Sequence, residues 1–139
     1  MDYLAEVKPI VEGLGFKLVE LAWTPIKGGL KFTLYIYNSN GVSLDDCVKV
    51  STALDARLQA LMPKGNEALL EVSSPGLSRV FKDVHEYEIF AGQQVQLNLK
   101  NGETAMGAIG ESNEVGVYVG DNFYEYQQIA KAKLKGGNW

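Results

Sequence analysis

Hydrophobic and polar positions divide the chain into two textures. Over residues 3 to 13 apolar side chains recur at helical spacing (Leu4, Val7, Ile10, Val11, continuing to Leu14), and Gly13 and Gly15 supply a stop. In "FKLVELAW" the residues Val19, Leu21 and Trp23 share one face. After the loop "TPIKGG" the run "LKFTLYIY" alternates strictly, with Leu30, Phe32, Leu34 and Ile36 on one side, so the two runs read as a hairpin. The turn "NSNG" leads to Ser43, placed as an N-cap with Asp46 three residues on, a short-armed relative of the capping box. Leu44, Cys47, Ser51, Leu54, Leu58 and Leu61 then follow at spacings of three and four and end before Pro63-Lys64-Gly65, which predicts a second helix. "ALLEV" adds a third strand. The order α-β-β-α-β predicts a small α+β layer whose two helices cover one sheet face, assigned to residues 1–82.

From residue 83 the texture changes. "DVHEYEIF" carries an Asp83 cap with Glu86 in the capping-box position and ends at Gly92, a short helical connector. Five short strand-like runs follow ("QVQLNL", "TAMGAIG", "GVYVG", "NFYEY", "AKAKL"), separated by Asn101-Gly102, Ser112-Asn113 and Asp121-Asn122. This spacing predicts a five-stranded barrel of SH3 or Sm type over residues 83–139, closed to remove exposed edges, with "KGGNW" as a mobile tail. The fold class is α+β in two small domains.

Composition narrows the chemistry. The single cysteine, Cys47, forms no internal disulfide and has no companions at metal-ligand spacing, so it reads as a small core residue in a reducing compartment. No apolar run approaches the ~18 residues of a membrane helix, and the "MDYLAEVKP" start lacks a secretory pattern, so a cytoplasmic protein without a membrane partner is expected. A net charge of −4 speaks against coating nucleic acid through many phosphate contacts. Divided after Lys82, the first part holds nine basic and nine acidic residues and the second four against eight, so the second carries the whole excess. An acidic half favours a basic partner.

The stretch "LLEVSSPGLSRVFK" ends a strand on two hydroxyls, a proline and a glycine. Pro75-Gly76 suits a type II turn, Gly76 taking the positive φ. This turn reads as a hinge, and it also exposes Ser73, Ser74 and Arg79 beside Lys82, a hydroxyl and guanidinium edge suited to RNA phosphates. The tip Lys27-Gly28-Gly29 with Lys31 is too short for a nucleotide cradle, but its basic side chains can touch RNA. Asp45 and Asp46 sit in the first turn of the second helix, where the dipole favours carboxylates, and present acidity to a basic partner. Neighbouring carboxylates on a helix diverge and no further ligand joins them, so neither metal nor catalysis is expected. His85, Asp83 and Ser73 do not make a hydrolase: the chain has no nucleophile elbow. Tyr118, Phe123, Tyr124 and Tyr126 offer rings for base stacking, though flanking cations are not evident in the sequence.

"NGVSLDDCVKVS" (residues 40–51) followed by "LEVSSPGLSR" (residues 70–79) resembles the paired signature of the bacterial ribosome maturation factor RimP family, and the order of elements agrees along nearly the whole chain. Family members usually show Asp and Pro around the arginine, as in "SSPGLDRPL", where this chain has Ser78 and Val80; Ser73, Ser74, Pro75, Gly76, Leu77 and Arg79 match. The resemblance implies a two-domain, non-enzymatic assembly factor without cofactor. Such a factor binds the free small ribosomal subunit, through ribosomal RNA and a basic ribosomal protein. On this reading the first domain contacts RNA through Lys27, Lys31, Arg79 and Lys82, the acidic barrel holds the protein, and the chain is a monomer. The competing expectation is a free Sm-like regulator that forms a ring and reads single-stranded RNA.

Overall fold

The computed structural model describes residues 2–76 and 78–135. Leu77 of the turn motif and the last four residues of the expected mobile tail lie outside the described residues. The chain forms two compact units, residues 1–75 and 76–139.

In the first unit α1 (Tyr3–Gly13) starts at Asp2, whose side chain accepts the Ala5 N–H and satisfies one of the free donors of the first turn. The strands β1 (Lys17–Ile26) and β2 (Gly29–Tyr37) form the hairpin, and α2 (Leu44–Leu61) crosses over to β3 (Glu67–Ser73). The sheet order is β1-β2-β3, with β1 antiparallel and β3 parallel to β2. A parallel neighbour needs a crossover, which α2 supplies. Where the sequence expects a "TPIKGG" loop, β1 instead continues through Pro25 to Ile26 and turns on Lys27-Gly28. Proline is tolerated there because β1 is an edge strand. A bulge between Leu18 and Glu20 buries both Leu18 and Val19, where alternation expects Val19 alone.

The core packs Val7 and Val11 of α1 and Val50, Leu54 and Leu58 of α2 against Leu18, Phe32, Leu34, Ile36 and Ala68, so both helices lie on one sheet face. Tyr3 meets Trp23 and Phe32 edge-on at ring separations of 5.1 and 5.0 Å. The outer edge of β3 is engaged at one point: the Gln59 carboxamide donates to the Ala68 carbonyl at 2.7 Å and accepts the Ala68 N–H at 2.9 Å.

The second unit contains α3 (His85–Ile89), β4 (Gln94–Leu99), β5 (Thr104–Ser112), β6 (Gly116–Val119), β7 (Asn122–Glu125), a 3-10 turn (Tyr126–Gln128) and β8 (Ile129–Leu134). Its five strands form an antiparallel sheet in the order β7-β6-β5-β4-β8. The expected barrel does not close: among the described residues no ladder joins β7 to β8. Beyond β8 the edge is engaged by the chain before α3 instead, through a bridge from Val80 to Lys133. The Phe81 N–H donates to the Ala132 carbonyl and the Leu134 N–H to the Arg79 carbonyl, each at 2.9 Å. Val95, Leu97, Ile109, Val117, Val119, Ala132 and Leu134 fill the inner face.

That pairing moves the boundary. The sequence divides the chain after Lys82, but residues 78–82 lie with the second unit, because Arg79, Val80 and Phe81 bond to β8. The charge balance changes with it. Residues 1–75 hold seven basic and nine acidic side chains and residues 76–139 six and eight, so each unit carries −2 and the expected contrast between a neutral and an acidic half disappears.

Candidate functional site

The end of β3 behaves locally as its turn chemistry dictates. Ser73 and Ser74 are half-buried, and the Ser73 hydroxyl donates to the Ser74 carbonyl at 3.0 Å. Gly76 adopts φ +85°, the positive value a type II turn requires at this position, and a Cβ there would meet no atom within 4 Å. Backbone conformation, not crowding, selects glycine.

Arg79 departs from its expected place. Its side chain is 6% exposed, and its Nε donates to Glu86 Oε1 at 2.7 Å, where Glu86 is 1% exposed. The other carboxylate oxygen, Oε2, accepts the backbone N–H groups of Lys82 at 2.9 Å and Asp83 at 3.1 Å. One buried carboxylate thus holds the guanidinium and the chain entering α3, and the second of its bonds is the Glu86 arm of the expected capping box. A charge taken out of water requires such partners, so Arg79 is a structural cation, not an exposed RNA contact. The sequence missed Glu86 as its partner; the signal was only the coincidence of a basic residue and a helix-capping glutamate seven positions apart.

The other expected contacts separate. Lys27 is exposed at the hairpin tip, whereas Lys31 Nζ lies 3.0 Å from Glu71 Oε2 and its charge is engaged across the sheet. Lys82 is exposed. Asp46 completes a reciprocal capping box: its N–H donates to Ser43 Oγ at 3.1 Å and its Oδ2 accepts the Ser43 N–H at 2.9 Å. Asp45, one residue earlier, is exposed. The two carboxylates therefore have different tasks, one in local structure and one facing solvent. Burial, and then the neighbouring Asp46 charge, push the Cys47 thiol up, which keeps it protonated and unreactive at neutral pH. Among the described residues no group of three or more His, Cys, Asp or Glu side chains is placed to hold a metal ion, and no helix is long and apolar enough to cross a membrane.

In the second unit the Asp83 carboxyl is held below its usual range by the His85 backbone N–H at 3.0 Å and by the His85 ring, whose Nδ1 lies 2.8 Å from the same oxygen. Phe81, Tyr87 and Phe90 pack ring on ring, Phe81 with Phe90 stacked at 5.3 Å, and Tyr87 lies 5.3 Å from Tyr126. Burial pushes the Tyr87 hydroxyl up to about 12. Burial also raises Tyr126. These two rings belong to packing beside α3, while Tyr118 and Phe123 stand on the solvent side of the sheet.

Residues 6–78 match the family model of the RimP N-terminal domain. The matched stretch runs from within α1 to the turn after β3, and so contains the Ser43–Asp46 capping box, the Lys31–Glu71 pair and the Ser73 to Gly76 turn.

Proposed function

The chain belongs to the RimP family of ribosome maturation factors, and from that premise we propose that it binds the free small ribosomal subunit and assists its maturation. The match over residues 6–78, more than half of the chain and carried by the α-β-β-α-β unit, is the observation that supports this reading. Its action is non-enzymatic and takes place in the cytoplasm, on a monomer, through ribosomal RNA and a basic small-subunit ribosomal protein. The five-stranded order and the 3-10 turn before β8 support reading the second unit as a small SH3/Sm-like module whose sheet stays open.

The candidate contacts in this proposal are the exposed Lys27, Lys82, Asp45 and Gly76, with the half-buried Ser73 and Ser74 of the same turn. Arg79 enters as the residue that holds Lys82 and the start of α3 in place through Glu86. Sedimentation of the purified chain with separated subunits and assembled ribosomes tests the proposal. Association with the free small subunit alone is expected; equal association with every particle, or with none, overturns it.

A further inference from the structure

The second unit's sheet has an outer face whose chemistry is read from its register. Lys131 and Lys133 of β8, and Lys135 just past its end, alternate with the inward Ala132 and Leu134 and so point outward together. Gln96 pairs with Lys133 and with Met106, and Asn98 with Lys131 and Thr104. The Lys135 N–H donates to the Gln94 carbonyl, and Gln94 pairs with Ala108. The Gln96 Nε2 donates to Asn98 Oδ1 at 3.2 Å, confirming that these amides share the face. At the far end Tyr118 of β6 and Phe123 of β7 pair directly, ring to ring at 5.1 Å, 45% and 39% exposed. Glycines make room for both rings: a Cβ on Gly110 would lie 3.2 Å from Tyr118 Cβ, and one on Gly116 2.8 Å from Phe123 Cζ.

We infer that this face binds single-stranded RNA, with bases stacked on Tyr118 and Phe123 and the backbone running over the amides to Lys131, Lys133 and Lys135. Alternate residues of a strand lie ~6.8 Å apart, so the three ammonium groups form a line suited to successive phosphates. Among the described residues no carboxylate lies within ion-pair distance of those lysines. The carboxylate of Glu125 instead lies in β7, the strand that carries Phe123, and that of Glu111 in β5, which neighbours the strand of Tyr118; both repel phosphate there and leave that end to the uncharged base faces. Five strands at ~4.8 Å spacing measure about 19 Å from edge to edge, the scale of the short sites of about four nucleotides found on small barrel sheets. A net −2 for the unit does not oppose this, because the positive charge is gathered on one edge.

The inference rests on the reading that the chain meets ribosomal RNA and deepens it by naming the surface. Its test uses free oligonucleotides, so it can fail while small-subunit association holds, and the reverse. Fluorescence anisotropy of the full chain with eight-nucleotide oligo(A) and oligo(U) RNA is compared with duplex RNA and with polyglutamate. The single strands are expected to bind at least about tenfold more tightly than either competitor. Replacing the three lysines (K131Q, K133Q, K135Q) should reduce the slope of log affinity against log salt by about 2. Replacing the rings (Y118L, F123L) should weaken binding at least about fivefold, with circular dichroism melting unchanged in both variants. Equal affinity for polyglutamate, or variants that bind within about twofold of the parent chain, would overturn the assignment.

Discussion

The two units treat charge in opposite ways. Among the described residues of the first, no charged residue is buried as a whole, and the ion pairs Arg57–Glu6 (2.7 Å) and Lys31–Glu71 (3.0 Å) stay on the surface. In the second, Arg79 and Glu86 are buried beside the apolar inner face. The difference follows from what each must fix. A sheet packed under two amphipathic helices is specified by apolar complementarity, whereas residues 78–84 form an irregular segment that leads into α3, with Phe81 as its packed ring. A buried carboxylate that accepts two backbone N–H groups and a guanidinium specifies the path of that segment.

The contrast is most easily broken at Glu86. Replacing it with alanine should destabilise the second unit by about 3–5 kcal/mol, since it takes the carboxylate from a buried ion pair and the acceptor from two backbone N–H groups. Hydrogen exchange at Phe81 and Leu134, whose N–H groups bond across the Arg79–Phe81 segment and β8, reads this locally. A uniform small change across both units would contradict it. Next is pH. Tyr87 has its ionisation raised to about 12 by burial, so the folded state favours the neutral phenol. That contribution is complete below about 10, the value of an exposed tyrosine, and is lost as pH rises towards 12. Alkaline melting should therefore open the second unit first between those values, and Tyr87→Phe should remove this part of the pH dependence.

Smaller effects sharpen the comparison. Gly76→Ala should cost about 1 kcal/mol through its positive φ alone, measurable by denaturant titration, because the space around it is open. Arg57→Ala in the first unit should cost no more than about 1 kcal/mol, and that loss should shrink in high salt, as expected of an exposed pair.

Periodicity and capping make most elements legible in the sequence. The alternation of Phe32, Leu34 and Ile36 marks β2, and Ser43 with Asp46 marks the start of α2. What escaped was non-local. The segment "SRVFK" is too short for a period, so its pairing with β8, which draws residues 78–82 to the second unit, cannot be read from the chain. Arg79 looked like an exposed cation because its partner lies on another element. The alternation in "AKAKLK" was visible, but its lysines gain meaning only when the register sets them beside Gln94, Gln96 and Asn98. Barrel closure depends on the meeting of two distant edges, which strand spacing alone does not specify.

The most direct test of the account is photo-crosslinking of the full chain bound to the free small subunit, with the reactive group placed in turn at Lys27, Lys82 and Lys133. The account predicts crosslinks to ribosomal RNA, strongest from Lys133. Crosslinks from Lys27 alone, or none to RNA from any position, would contradict it.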